Sequence, residues 1–166
     1  MATAPGQAVD LGSGGGVPGL VLACHWPDSR WILLDASHRR TEFLTEAVTA
    51  LGLSDRVRVL CLRAEEAGRL PDLRYGADLV TARGFARPAV TAECAAPLLV
   101  VGGLLVVSDP PDALPDRWPP QPLQSLGLLP DGVSGTAPAL QRLRQVTPCP
   151  DRYPRRTGVP AKRPLF

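Results

Sequence analysis

The sequence has few of the residues that metal sites and hydrolytic active sites use. It holds two histidines, and its four cysteines (Cys24, Cys61, Cys94 and Cys149) are far apart and form no C-x-x-C pair. This spacing predicts no metal site, and we expect the cysteines to be reduced thiols. Neither histidine has a Ser, Cys or acidic neighbour in a known nucleophile arrangement. The sequence therefore offers no catalytic triad.

Long apolar runs are also missing. No uninterrupted stretch approaches the ~18–20 residues of a membrane span. The first residues, 1–6, show neither the basic nor the apolar region of a signal peptide. We therefore expect a soluble cytoplasmic protein with no membrane contact, and 166 residues suit a single domain.

The formal net charge of +2 conceals an uneven distribution. Between residues 142 and 166 seven residues are basic and only Asp151 is acidic, whereas acidic residues outnumber basic ones in the rest of the chain. This asymmetry suggests contact with a polyanion, although a solubilising end would explain the charge equally well. We divide the chain into a domain over residues 1–147 and a basic, Pro/Arg-rich tail over residues 148–166.

Short apolar runs alternate with helical patterns, which predicts an α/β fold with a doubly wound, mostly parallel sheet. The predicted strands cover residues 8–11, 31–35, 57–62, 77–82, 104–107 and 139–146, and the predicted helices begin near Pro18, Ser37 and Pro88. Six prolines between Asp109 and Pro122 predict an extended surface loop. Residues 148–166 show no periodicity. Ligands of such a sheet bind at the carboxyl ends of its strands.

A glycine-rich turn, Asp10-Leu11-Gly12-Ser13-Gly14-Gly15-Gly16, follows the first predicted strand. Nucleotides bind at this position, and glycine lets the backbone approach a ligand closely. A P-loop is excluded because no Gly-Lys-Ser/Thr follows and the only lysine is Lys162. The dinucleotide-binding pattern Gly-x-Gly-x-x-Gly matches only from Gly14, two residues later than the first glycine of the turn. In addition, Pro18 removes an N–H group that a pyrophosphate would use. The pattern Asp-x-Gly-x-Gly-x-Gly is in phase and favours S-adenosylmethionine.

Two further positions are compatible with a nucleoside ligand. Asp35 ends the second predicted strand, where a carboxylate accepts hydrogen bonds from ribose hydroxyls. The alternative is that Asp35 only provides negative charge at the N-terminus of the next helix. Ala64, Glu65 and Glu66 follow the third strand, where an adenine ring would lie.

Five segments in this order resemble the motifs of one family. They are Val9–Leu20 with its Val-Pro-Gly extension, Leu34–Leu44, Arg63–Glu66, Asp78–Ala86 with Arg83-Gly84-Phe85, and the Tyr-Pro-Arg segment of Arg152–Pro164. Together they resemble the bacterial 16S ribosomal RNA guanine-N7 methyltransferases, the glucose-inhibited division protein B family. The resemblance implies a Rossmann-like class I methyltransferase that uses S-adenosylmethionine and acts on ribosomal RNA or the small ribosomal subunit.

The resemblance also implies site residues. Gly12 and Val17 would line the cofactor, Ala64 and Glu65 would hold its adenine, and Arg83 would lie at its methionine end; Gly14, Gly16 and Asp35, from the turn and the second strand, complete the predicted cofactor set. Arg39 and Arg40 match a basic pair of the family and would face RNA, although a solvated helix face explains them equally well. The basic tail adds Arg155, Arg156, Lys162 and Arg163 to the predicted RNA-binding set. We name no catalytic residue: guanine N7 carries no proton, so its methylation needs in-line positioning rather than a general base.

The chain departs from the family pattern at two points. Family members usually begin with an additional helical segment, whereas this sequence starts shortly before its first strand. They have Leu-Lys-Gly where this chain has Val107-Ser108-Asp109, which predicts an anion near the target pocket. These departures keep two alternatives open: a non-catalytic homologue that binds S-adenosylmethionine or RNA, and a methyltransferase of small molecules.

Overall fold

A computed structural model describes residues 4–110, 116–135 and 139–166. A seven-stranded sheet has the order β3-β2-β1-β4-β5-β7-β6. Its strands are β1 (Gln7–Leu11), β2 (Arg30–Asp35), β3 (Val57–Cys61), β4 (Ala77–Arg83), β5 (Leu99–Asp109), β6 (Leu128–Ser134) and β7 (Ala139–Gln145). The helices are α1 (Gly19–His25), α2 (His38–Ala50), α3 (Ala64–Ala67), α4 (Pro88–Ala95), α5 (Pro120–Gln124) and α6 (Val159–Lys162).

The sheet is parallel from β3 to β5, and β7 runs antiparallel to both of its neighbours. Strand β2 is buried on both faces: Trp31 and Leu33 belong to one apolar cluster, and Ile32 and Leu34 to another. A parallel sheet covered on both faces needs such continuous apolar strands. The predicted fold class is confirmed, and β1 to β4 lie close to their predicted bounds. Strand β5 was predicted over 104–107 but extends from Leu99 to Asp109.

The proline-rich segment from Asp109 to Pro122 was predicted to be an extended surface loop, and this prediction is wrong at both ends. Asp109 ends β5, Pro120 begins α5, and the Trp118 side chain is buried between them. Proline is tolerated in the first helical turn because the N–H groups there have no helical partner. Residues 111–115 of the predicted loop lie outside the described residues.

Strand β6 was not predicted. It contains Pro130 and Gly132 and shows no regular apolar alternation, and its pairing with β7 shifts register between Pro130 and Val133. It is an edge strand, where proline is tolerated because one side of the strand needs no ladder hydrogen bonds. The strand therefore carries little of the sequence pattern that identifies a buried strand.

The C-terminal residues pack against the body of the protein. We call residues 149–166 the strap. The Arg74 guanidinium donates hydrogen bonds to the carbonyl oxygens of Cys149, Pro150 and Tyr153 at 2.8–3.2 Å, and Arg69 donates to the Pro154 carbonyl at 2.6 Å. These bonds fix the first part of the strap, whereas the proposed domain boundary at residues 147/148 stays a prediction.

A buried carboxylate positions the glycine-rich turn. Asp10 accepts a hydrogen bond from the Thr81 hydroxyl of β4 at 2.6 Å and one from the Gly19 N–H at 3.1 Å. A Cβ atom on Gly19 would lie 2.5 Å from the Asp10 Cβ. Only glycine at the start of α1 therefore lets the helix approach this carboxylate.

This contact predicts opposite behaviour for two glycines of the same segment. Gly19→Ala should lower the free energy of unfolding by about 1–3 kcal/mol, because overpacking outweighs the better helix propensity of alanine. Gly15→Ala is the matched control, since a Cβ there meets no atom within 4 Å, and it should change stability by less than ~0.5 kcal/mol. Urea unfolding of both variants measures the difference. Equal free energies of unfolding in the two variants would contradict the close contact between Gly19 and Asp10.

Asp10 also predicts a pH dependence of stability. Burial raises the pKa of this carboxyl above its usual value of 3.8, although the bonds from Thr81 and Gly19 oppose the rise. Above pH 3.8 the folded state then binds the proton more readily than the unfolded state, so this group's contribution to stability falls as pH rises through the raised pKa.

Asp10→Asn removes this titration. The asparagine amide can accept from the Gly19 N–H and donate to the Thr81 hydroxyl, so both contacts have a replacement. We expect the difference in unfolding free energy, wild type minus variant, to decrease as pH rises from about 4 to 7. Urea unfolding across this range measures it, and a difference that increases with pH would contradict the assignment.

Candidate cofactor site

A cavity of about 310 Å³ opens at the carboxyl edge of the sheet. The segments that follow four neighbouring strands contribute its walls, and α4 and the strap complete them. The lining residues are Gly12 after β1, Leu34, Asp35, Ala36 and Arg40 along β2 and α2, Leu62 to Glu65 after β3, Gly84 and Phe85 after β4, Val90 and Cys94 on α4, and Ala161 in the strap.

Asp35 forms the polar centre of this cavity. Its side chain is 5% exposed; Oδ2 accepts the Gly14 N–H and Oδ1 accepts the Ser37 N–H, both at 2.9 Å. Arg40 approaches Oδ2 only to 3.5 Å, and its side chain is 63% exposed. A carboxylate accepts about four hydrogen bonds. Asp35 can therefore accept further donors from a ligand, and the Arg40 contact is easily displaced.

The glycine-rich turn leaves room for an aromatic ring. Gly12 has a φ of 71°, and a Cβ atom on it would lie 2.6 Å from the Phe85 ring. Gly14 also has positive φ and presents its N–H to Asp35. The turn follows β1, and its backbone lies against the side chains of Asp35 at the end of β2 and Phe85 after β4.

The structure brings together only part of the predicted cofactor set. Gly12, Asp35, Ala64 and Glu65 line the cavity, and Gly14 adjoins it through Asp35. Three predicted residues lie outside the lining: Gly16 packs against Leu20 and Leu44, Val17 is exposed, and Arg83 ends β4 one residue before the wall. Their role in cofactor binding stays a prediction.

Sequence reasoning missed several lining residues. Val90 and Cys94 are four residues apart on α4, so they lie on one face of this helix, but nothing in the sequence placed that face at the site. Burial raises the pKa of the Cys94 thiol, so this thiol stays neutral. Ala161 is in the strap, where no periodic pattern was available.

Glu65 connects the cavity to the strap. Its Oε1 accepts a hydrogen bond from the Gly158 N–H at 2.9 Å. The next residue, Glu66, accepts the Arg63 N–H at 3.3 Å and helps to start α3. The side chain predicted to hold adenine is therefore bound on one oxygen by the strap.

Apart from Arg40, which contacts Asp35 in the cavity, the predicted RNA-binding residues fall into two groups. In the described part of the chain, Arg39, Arg156, Lys162 and Arg163 are exposed and form no ion pair. Arg155 is different, because its N–H, Nε and Nη2 donate to Glu93 at 2.6–2.8 Å, and Glu93 is fully buried. These hydrogen bonds raise the pKa of Arg155, which remains charged.

Asp109, the anion expected near the target pocket, is paired. Its two oxygens accept the Arg117 Nε at 3.0 Å and the Trp118 Nε1 at 2.8 Å, and the side chain is buried. Its charge is therefore compensated by its own neighbouring segment. Asp109 holds Arg117 and Trp118 and does not present a free carboxylate.

Among the described residues, no group of three or more His, Cys, Asp and Glu side chains could hold a metal ion. No helix within these same residues is both long enough and apolar enough to cross a membrane.

Comparison with solved structures identifies the fold. An RNA methyltransferase from Salinibacter ruber in complex with S-adenosyl-L-homocysteine superposes with a TM-score of 0.64 at 19% identity, covering 87% of this chain and 84% of that one. At this identity the likeness concerns the fold alone. The Rossmann-like methyltransferase architecture predicted from the sequence is confirmed.

Sequence comparison goes further. Residues 2–108 match the family model described as GidB, rRNA small subunit methyltransferase G. Ribosomal RNA small subunit methyltransferase G of Parasynechococcus marenigrum is 38% identical over 172 residues, covering 95% of this chain and 67% of the relative. The same enzyme of Symbiobacterium thermophilum is 38% identical over 176 residues, covering 97% and 71%. The chain belongs to the GidB family of rRNA small subunit methyltransferases G, as its five motifs predicted.

Proposed function

We propose that this chain transfers a methyl group from S-adenosylmethionine to guanine N7 of 16S ribosomal RNA in the cytoplasm. The observation that carries this proposal is the buried Asp35 carboxylate, which faces a cavity beside a glycine-rich turn and keeps acceptor capacity for a ribose. Family membership supports the same cofactor and the RNA substrate. Tritiated methyl transfer to small ribosomal subunits from a strain without this enzyme, followed by mapping of the modified base, tests it.

The volume and the lining residues of the cavity support the proposed cofactor. Its volume is at the lower end of the range of small-molecule sites. Asp35 would accept the ribose hydroxyls after Arg40 moves aside, and Leu62, Ala64 and Val90 would border the adenine. When bound, S-adenosylmethionine supplies an electrophilic methyl group on its sulfonium. The backbone at Gly12 has no side chain to block the approach of the cofactor to the turn.

The acceptor nitrogen needs orientation more than proton transfer. Guanine N7 has a lone pair and no proton, so a general base is not required. No histidine is among the residues that line the cavity. The base becomes cationic as the bond forms, so nearby carboxylates favour the transition state. Phe85, which is half-buried at the cavity wall, can stack against a base.

Exposed cations near the cavity would contact the RNA backbone. Arg40 lines the cavity, Arg39 precedes it on α2, and Lys162 follows the lining residue Ala161. Such contacts to phosphate orient the RNA and carry no sequence information. The target base would then be selected by its fit beside Phe85 and the methyl donor.

The role of Asp35 predicts a loss of cofactor affinity. Asp35→Asn keeps the side-chain shape but removes the charge that accepts ribose hydroxyls, and charged hydrogen bonds contribute about 1.5–3 kcal/mol. We therefore expect the Kd for S-adenosylhomocysteine, measured by isothermal titration calorimetry, to rise about tenfold or more. Asp28→Asn, an exposed residue of the loop before β2, is the control and should leave Kd unchanged. An unchanged Kd in Asp35→Asn would refute the assignment.

The exposed cations predict a salt-dependent effect on RNA binding. The double variant Lys162→Gln, Arg163→Gln should weaken binding to the small subunit and reduce the slope of log K against log salt by roughly 0.7–0.9 for each lost phosphate contact. Arg30 and Arg58 are exposed near the opposite edge of the sheet, so the matched double variant Arg30→Gln, Arg58→Gln should change neither quantity. Equal slopes in both double variants would exclude the strap from the RNA interface.

A further inference from the structure

The strap was predicted to bind RNA as a whole, but its contacts indicate two separate tasks. We propose that Arg155 is a positioning residue for the cofactor, which holds the strap against α4 and Glu65 so that the strap forms one wall of the cofactor pocket. The neighbouring Arg156 remains available to RNA. The inference rests on the proposed function, since it assigns the cavity to S-adenosylmethionine.

The ion pair between Arg155 and Glu93 joins the strap to α4. Glu93 is fully buried on α4, whose residues Val90 and Cys94 line the cavity. Within the described residues Glu93 accepts three hydrogen bonds, all from Arg155: one from the backbone N–H and two from the guanidinium. A buried carboxylate requires such compensation, and loss of its partner is strongly unfavourable. The pair therefore fixes the strap to a wall of the cavity.

The strap also contacts the adenine side of the proposed site. Gly158 has a φ of 80°, and its N–H donates to Glu65 at 2.9 Å. Helix α6 starts at the next residue and packs against α4, which places Ala161 in the cavity lining. The strap thus binds the lining residue Glu65 three residues after Arg155 and lines the cavity itself six residues after Arg155. Displacement of Arg155 would displace both contacts.

The exposure of the two adjacent arginines separates their roles. The Arg155 side chain is 27% exposed and bound to Glu93, so a phosphate contact would require breaking a buried pair. Arg156 is exposed and forms no ion pair within the residues described. The chain therefore presents one cation inward to the protein and the next one outward to solvent.

The first experiment compares these neighbours by titration calorimetry with S-adenosylhomocysteine and by small-subunit binding at several salt concentrations. Arg155→Gln should raise the Kd for S-adenosylhomocysteine about tenfold and leave the salt slope of RNA binding unchanged. Arg155→Lys keeps the charge but lacks the forked guanidinium that binds both Glu93 oxygens. Its Kd for S-adenosylhomocysteine should therefore lie between those of Arg155→Gln and the wild type. Arg156→Gln should show the opposite pattern, an unchanged Kd with a smaller salt slope.

A stability control separates positioning from general destabilisation. Leu123→Val shortens a buried side chain of α5, outside the cavity lining, and should lower the melting temperature without changing the Kd for S-adenosylhomocysteine. If Arg155→Gln reduces the salt slope and leaves that Kd unchanged, the inference is overturned. A wild-type protein that binds no S-adenosylhomocysteine would instead overturn the proposed function.

The second experiment needs no variant. Trypsin can cleave after Arg156 and Lys162 in the strap, and also after Arg30 at the start of β2. Saturating S-adenosylhomocysteine should slow cleavage at the two strap positions several-fold, because ligand that contacts the strap favours its packed state. Cleavage after Arg30 requires opening of β2, which is paired on both sides, so it reports the general stabilisation by ligand. Mass spectrometry follows all three positions. Binding of the ligand without protection of the strap would overturn the inference.

Discussion

The structure depends on the requirement that each buried carboxylate has hydrogen-bond donors. The buried acidic side chains among the described residues are Asp10, Asp35, Glu93 and Asp109. Each is satisfied by donors from another segment: Asp10 by α1 and β4, Asp35 by the glycine-rich turn and the start of α2, Glu93 by the strap, and Asp109 by the residues after β5. Because an uncompensated buried charge is strongly destabilising, these four groups determine how the connecting segments pack on the sheet.

The degree of compensation separates structural carboxylates from the one proposed to bind ligand. Glu93 has three short hydrogen bonds, two of them from a guanidinium, and Asp109 has an arginine and an indole N–H. Asp35 has two short backbone bonds and one long contact to an exposed arginine. Asp35 is therefore buried like the others but less completely paired. It is also the one of the four that lines the cavity, so the same physical requirement that organises the fold leaves acceptor capacity at the site.

Sequence reasoning succeeded where a pattern reflects a repeated local environment. Strands buried on both faces give continuous apolar runs, and the glycine-rich turn marks a backbone that must take positive φ at Gly12 and Gly14. It failed where the determining contact joins distant residues of ordinary composition. The strap is held by Arg74, which lies far from it in sequence and donates to its carbonyl oxygens, and β6 lacks alternation because it is an edge strand with a proline. Gly19 was identified within a motif, but its need to accommodate Asp10 is visible only in the structure.

Contacts between distant residues also change the interpretation of the basic C-terminal region. Seven basic residues there predicted a polyanion-binding tail, yet several have partners within the protein. Arg142 donates to the Asp131 carbonyl, Arg144 pairs with the Asp131 carboxylate, and Arg155 pairs with Glu93. The exposed strap cations without an ion pair among the described residues include Arg156, Lys162 and Arg163. Because each phosphate contact contributes separately to salt-dependent binding, so small a set would supply modest affinity in the proposed complex with RNA. In that complex, selection of the target would depend mainly on how the base fits the cavity and on the shape of the folded RNA.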